Sequence, residues 1–169
     1  DIPMTVNLKT LVSYLDEYLH ASAIQDYCPN GLQIEGHSEV KKIIGGVTAT
    51  QALIDLAIAN NADVILVHHG FFWKGEDQAI TGIKKNRIQA LLKHNISLIA
   101  YHLPLDVHPI IGNNAQLAQR LNLEITGPLD PSSKLSVGVA AKLNDPMSSK
   151  EFKDFVSESL GRDLSLIHI

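Results

Sequence analysis

The chain reads as an α/β protein: a mixed, largely parallel sheet with flanking helices. Two short runs, Val64-Ile65-Leu66-Val67 and Ile96 to Tyr101, are apolar without polar alternation, the pattern of strands covered on both faces. Stretches with apolar residues at helical spacing separate the runs, giving the strand-helix-strand rhythm of a parallel sheet. Both runs also end in histidine, His68-His69 in one case and His102 in the other. In open α/β sheets ligands bind at the carboxyl ends of the strands.

The elements follow in order. Asn7 is an N-cap for a helix through Leu8, Leu11, Val12, Leu15 and Leu19. Asp26 to Gly36 holds Pro29 and Asn30-Gly31 and predicts a turn. Lys42 to Val47 predicts a strand, and Thr48 caps a helix over Ala49 to Asn60. Asp63 to Val67 is the strand that ends in the histidine pair, closing a β-α-β unit with a right-handed crossover. Phe71 to Gly82 is a loop with aromatic residues, Lys84 to His94 a helix, and Ile96 to Tyr101 the next strand. Gly112-Asn113-Asn114 opens a helix over Ala115 to Leu121, the two asparagines serving as caps. A short strand spans Leu123 to Thr126, and Pro128 to Ser133 is a loop. Leu135 to Leu143 predicts a strand, Ser149 to Leu160 a helix, and Leu164 to Ile169 a strand. Residues 1–128 form an α/β domain that carries the histidines, and 129–169 the start of a second, incomplete α/β segment. Met4 reads as a natural start.

Composition bounds the function. The 169 residues are 45% hydrophobic and 19% charged, ordinary for a globular protein, with a net charge of −4. Nothing in that balance favours nucleic acid or an anionic membrane. No apolar run is long enough to span a bilayer. The single cysteine, Cys28, excludes an intrachain disulfide, and a cytoplasmic location is expected. No Walker loop or dinucleotide glycine loop is present, because Gly45-Gly46 falls in or beside a strand.

The chemistry gathers at the histidines. Neighbouring residues of an extended strand point to opposite sides, so His68 and His69 would each serve a different ion unless the backbone turns at Gly70. Asp106, with two oxygens, can bridge both ions, which favours a two-metal centre over a single one. Two ligands per ion fall short of the usual three. His102, Glu76 and His108 are the local candidates for the remainder. As bland alternatives, Cys28 is a buried or half-buried thiol, Asn30-Gly31 a turn (with Asn30 facing the site as the lesser alternative), and His20, His37, His94 and His168 ordinary surface or core histidines.

The segments Asp26-Tyr27-Cys28-Pro29-Asn30-Gly31-Leu32-Gln33, Gly46-Val47-Thr48-Ala49, Val67-His68-His69-Gly70, Phe72-Trp73-Lys74-Gly75 and His102-Leu103-Pro104-Leu105-Asp106-Val107-His108-Pro109 with Gly112-Asn113-Asn114-Ala115 resemble the YbgI-type dinuclear metal-binding family. That family is labelled GTP cyclohydrolase I type 2 and is NIF-three-like. The resemblance runs from Val6 to Leu121 and thins beyond Leu129. It implies an NIF-three-like fold, two divalent ions (Fe, Zn, Mn or Mg) and a toroidal homohexamer. The matching ligands are His68, His69 and a bridging Asp106, with His102 beside them in a catalytic, proton-shuttling part or as a weaker ligand. It also implies a C-terminal portion that adds a histidine and a glutamate one helical turn apart; the chain stops at Ile169 without that pair. The function expected is a metal-dependent hydrolase of a small molecule. The alternative is a non-enzymatic ring-forming scaffold or regulatory protein that binds protein or DNA.

Overall fold

The computed structural model describes residues 4–133 and 136–165. They fall in two compact units, divided between Leu105 and Asp106.

The first unit opens with a two-residue strand, β1 (Val6–Asn7), and helix α1 (Leu8–Tyr18). Asn7 is the N-cap, its side chain accepting from the Lys9 N–H. A 3₁₀ turn at Ala21–Ala23 leads to β2 (Gly31–Ile34), β3 (Glu39–Val40) and β4 (Ile43–Thr48). Then come α2 (Gln51–Ala59), β5 (Val64–His69), α3 (Gly82–Lys93) and β6 (Ser97–Ala100). The main sheet has the order β2-β6-β5-β4. Strands β4, β5 and β6 are parallel, and β2 runs antiparallel along β6. The expected mixed, largely parallel α/β sheet is therefore what the chain forms.

Period-two alternation in β5 and β6 supplies two apolar faces. Ile65, Val67, Leu98 and Ala100 pack in one cluster with Ile54 and Ala57 of α2 and Leu91 of α3. Val64, Ile99 and Tyr101 pack in the other with Leu8, Leu19 and Val40. Each fully buried leucine or isoleucine contributes about 1.5–3 kcal/mol, so the helix-sheet-helix layering is set by these residues.

Helix α4 (Leu103–Val107) runs across the division between the units. The second unit holds α5 (Asn113–Arg120), the antiparallel pair β7 (Leu123–Pro128) and β8 (Val139–Leu143), and α6 (Ser149–Leu160). Helix α6 begins in a capping box made by Ser148 and Glu151 and ends at Gly161 in the left-handed conformation.

Several expectations need correction. Thr48 does not cap α2. It is the last residue of β4, and Thr50 is the cap, accepting from the Leu53 N–H. Asn113 and Asn114 lie inside α5, whose N-cap is Gly112. The supposed turn over Asp26 to Gly36 contains strand β2, which starts at Gly31 with φ +98°. Leu164 and Ser165 are not in a strand, and the rest of that expected strand, with His168, lies outside the described residues, as does Leu135. Among the described residues no helix is long and apolar enough to cross a membrane.

Candidate metal centre

Parallel pairing aligns the ends of three strands. Thr48 stands opposite His69, and Val67 opposite Ala100, so β6 releases the chain into Tyr101 and His102 beside the histidine pair. The rings of His68 and His69 lie 4.4 Å apart, and that of His102 lies 5.1 Å from His68 and 5.7 Å from His69. A donor atom from each of the three lies within 4.8 Å of the other two, and all three residues are half-buried. Both residues still belong to β5, yet their rings converge instead of diverging, so the pair can serve one ion or two neighbouring ones.

Each of the three imidazoles is held through Nδ1. His68 Nδ1 lies 2.9 Å from the Tyr101 carbonyl oxygen. A carbonyl only accepts, so that nitrogen carries the proton and Nε2 the lone pair. His69 Nδ1 lies 3.2 Å from Thr48 Oγ1. His102 Nδ1 lies 2.8 Å from Asp26 Oδ1. A carboxylate is acceptor-only, which makes His102 the Nδ1–H form as well. Metal-bound histidines carry this kind of outer contact to a carbonyl or carboxylate. The donor set therefore fits a transition-metal ion.

Asp26 is the most constrained polar group here. Its side chain is 2% exposed. It accepts from His102 Nδ1, Tyr27 N, Asn30 Nδ2 and Leu103 N at 2.6–2.9 Å. Burial pulls its pKa up, yet the hydrogen bonds from Asn30, His102, Tyr27 and Leu103 together hold it below the usual aspartate value. Asn30, one helical turn on in number, accepts from the His102 backbone N–H at 2.7 Å. The pair Asp26 and Asn30 thus grips His102 by ring and backbone. Trp73 covers the same ring edge-on, with centroids 4.9 Å apart.

A second group with ligand chemistry, Asp26, Cys28 and His102, also has donor atoms within 4.8 Å. Burial first, then the Asp26 charge, pushes the Cys28 thiol up to about 11. The sulfur is therefore a protonated neighbour at neutral pH.

The remaining expected ligands have partners of their own. Asp106 is on α4 in the second unit, and its Oδ1 accepts from Asn113 Nδ2 at 2.8 Å. Glu76 is ion-paired with Lys84 at 2.9 Å. His108 is buried, and its Nδ1 accepts from the N–H groups of Ile110 and Ile111. Sequence reasoning assigned no role to Asp26, Gln33 or the Tyr101 carbonyl. The local signals were the Asp26-x-x-x-Asn30 spacing ahead of a glycine and the place of Asp26 and Gln33 in a segment that carries the family resemblance.

Comparison with known proteins matches residues 6–168 to the family described as Duf34/NIF3 (NGG1p interacting factor 3). A Pseudomonas aeruginosa protein named GTP cyclohydrolase 1 type 2 homolog is 51% identical over 164 residues, covering 97% of this chain and 65% of that one. A Haemophilus influenzae protein of the same name is 52% identical over 157 residues, covering 93% and 62%. Among solved structures, one described as protein ybgI, of unknown function, superposes with TM-score 0.87 at 44% identity, over 94% of this chain and 62% of that one. The chain thus spans a little under two thirds of the length of these relatives.

Proposed function

The chain belongs to the Duf34/NIF3 family, and from that premise we propose that it is the metal-binding portion of a metal-dependent hydrolase that acts on a small molecule. The observation that carries this reading is the convergence of three imidazoles, each held through Nδ1, at the carboxyl ends of β5 and β6. Such a centre would take two divalent ions, drawn from Fe, Zn, Mn or Mg, with His68, His69 and Asp106 as the residues that would hold them. Asp106 lies on the helix that begins directly after His102. Such ions polarise a substrate oxygen and supply hydroxide near neutral pH.

The chain's own residues prepare that chemistry. The Tyr101 carbonyl and Thr48 orient the two histidines. Asp26 and Asn30 orient His102, which takes the catalytic part beside the ions as a positioned imidazole able to pass a proton. Trp73 packs against the rings of His102 and His69, with centroids 4.9 and 6.0 Å away. The relatives' names point to a nucleotide or related ring amide as the substrate class.

The test is metal analysis of the purified protein, with His69→Ala and Asp106→Ala as controls, followed by a hydrolysis screen of nucleotides and ring amides before and after chelation. The reading expects about two ions per protein, fewer ions per protein in both variants and loss of turnover on chelation. Full turnover without metal would sink it.

Assembly into a cytoplasmic homohexameric ring belongs to the same reading. Strand β4 is an edge of the main sheet, and its Val47 is 69% exposed, which suits burial against a second copy. Light scattering at a sixfold mass supports the ring. A scaffold that binds DNA instead would show a gel shift that weakens steeply with salt; the net charge of −4 speaks against it.

A further inference from the structure

The three histidines belong to one unit and Asp106 to the other. We propose that the first ion to load is a single transition-metal cation held by three imidazole nitrogens, Nε2 of His68, His69 and His102, with Asp26 as the positioning residue for His102. The inference rests on the metal-centre reading and adds an order to it: a singly loaded state in which His102 is a ligand precedes the two-ion state that involves Asp106.

Four observations carry it. The rings of His68 and His69 meet instead of diverging, with centroids 4.4 Å apart. A donor nitrogen of His102 joins theirs within 4.8 Å, a spread compatible with three bonds of about 2.0–2.1 Å to one ion after small side-chain adjustments. The Nδ1 contacts of His68 and His102 leave the lone pair on Nε2 in both rings.

The fourth observation concerns Asp26. Its two oxygens offer about four acceptor positions, and four N–H donors fill them. A carboxylate so saturated, and 2% exposed, is an anchor and not itself a ligand. This decides between the two groups that share His102. The set Asp26, Cys28 and His102 would require breaking the Asp26 hydrogen bonds and deprotonating Cys28. The three-imidazole set requires neither. Three neutral imidazoles select a borderline cation such as Zn²⁺ or Co²⁺ over Mg²⁺ or Ca²⁺.

The experiment is a calorimetric and visible-absorption titration of this chain with Co²⁺, repeated with Mg²⁺. The expected result is one Co²⁺ per chain at low free metal, with affinity unchanged within about threefold in Asp106→Asn. Asp26→Asn weakens binding on the order of 10–100-fold. In His102→Gln the visible spectrum changes and tight binding is lost. Wild-type affinity and spectrum in His102→Gln overturn the proposal, as does loss of the first ion in Asp106→Asn. In either case a metal centre on His68, His69 and Asp106 survives, whereas failure of the wild type to bind any ion removes both readings. Circular dichroism checks that each variant folds. As a measurement that needs no variant, ¹⁵N NMR of the histidine rings on Zn²⁺ addition should move the Nε2 signals of His68, His69 and His102 together. Movement of His68 and His69 alone overturns the three-nitrogen site.

Discussion

Gln33 holds the backbone of Phe71 at both polar atoms: its Oε1 accepts from the Phe71 N–H at 2.7 Å, and its Nε2 donates to the Phe71 carbonyl at 3.1 Å. The same Nε2 also donates to the Pro29 carbonyl at 2.8 Å. One side chain from β2 thereby fixes the turn that follows the histidine pair. Phe72, next in line, has φ +66°, a costly value for an aromatic residue that the surroundings must enforce. Gln33→Ala leaves the buried Phe71 groups without these partners and should lower stability by about 1–3 kcal/mol. Gln33→Glu puts an acceptor-only carboxylate oxygen against the Pro29 and Phe71 carbonyls, and should cost more than Gln33→Ala. Urea denaturation midpoints check the order, and equal midpoints for all three proteins would refute it.

Gly70 occupies the corner between His69 and that clamp. A Cβ added there would stand 2.7 Å from the Ala100 Cβ and would also meet Gln33 Oε1. Neither neighbour moves without disturbing β6 or the Phe71 clamp. Gly70→Ala should therefore cost about 1–3 kcal/mol by overpacking. The double variant Gly70→Ala with Gln33→Ala should cost less than the sum of the two, because the second change removes one of the clashes. Strict additivity in thermal unfolding would contradict this account.

Much of the framework was legible in the chain. Strands β5 and β6 showed as apolar runs because both of their faces are covered. Helix α6 showed its limits because Ser148, Glu151 and Gly161 are local stop and start signals. Strand β2 was hidden because Pro29-Asn30-Gly31 is turn chemistry and the strand has only four residues. Thr48 and Thr50 flank Ala49, and either can cap a helix; only the ladder to His69 assigns Thr48 to β4.

For the candidate centre, the residue types were legible and their supports were not. The Nδ1 partners of the histidines come from 21 to 76 residues away. They are set by strand register and by the Asp26-Asn30 grip, not by local spacing. The convergence of His68 and His69 was missed for a related reason. Period two fixes which face each residue starts from, not where a long imidazole side chain ends, and the two rings converge although both residues remain in β5.

The capping box of α6 makes a prediction in acid. Ser148 Oγ accepts from the Glu151 N–H at 3.3 Å, and the Glu151 carboxylate accepts from the Ser148 N–H at 2.8 Å. The hydrogen bonds from Ser148 hold the Glu151 carboxyl below the usual glutamate value. A lowered folded-state pKa stabilises above the unfolded value of about 4.3, and that stabilisation is lost as pH falls through the folded-state value. The hydrogen-exchange protection factor in the first turn of α6, taken relative to the unstructured-chain rate at each pH, should fall on acidification. Glu151→Gln should exchange faster than wild type at neutral pH and lose that acid dependence. Parallel pH profiles for the two proteins would count against the capping account.

Cys28 offers a chemical probe of the Asp26 neighbourhood. Its thiol is pushed up to about 11 by burial and then by the Asp26 charge, against about 8.5 for an ordinary cysteine. Only about a thousandth of it is thiolate near pH 8, so iodoacetamide should modify the native chain on the order of 100-fold more slowly than the urea-unfolded chain. The native rate should climb close to tenfold per pH unit through about pH 10, where the unfolded chain has already levelled off. Asp26→Asn removes the charge but not the burial, so it should speed the native reaction without reaching the unfolded rate. A native rate that levels off near pH 9, or that ignores Asp26→Asn, would show that the sulfur does not sense this carboxylate.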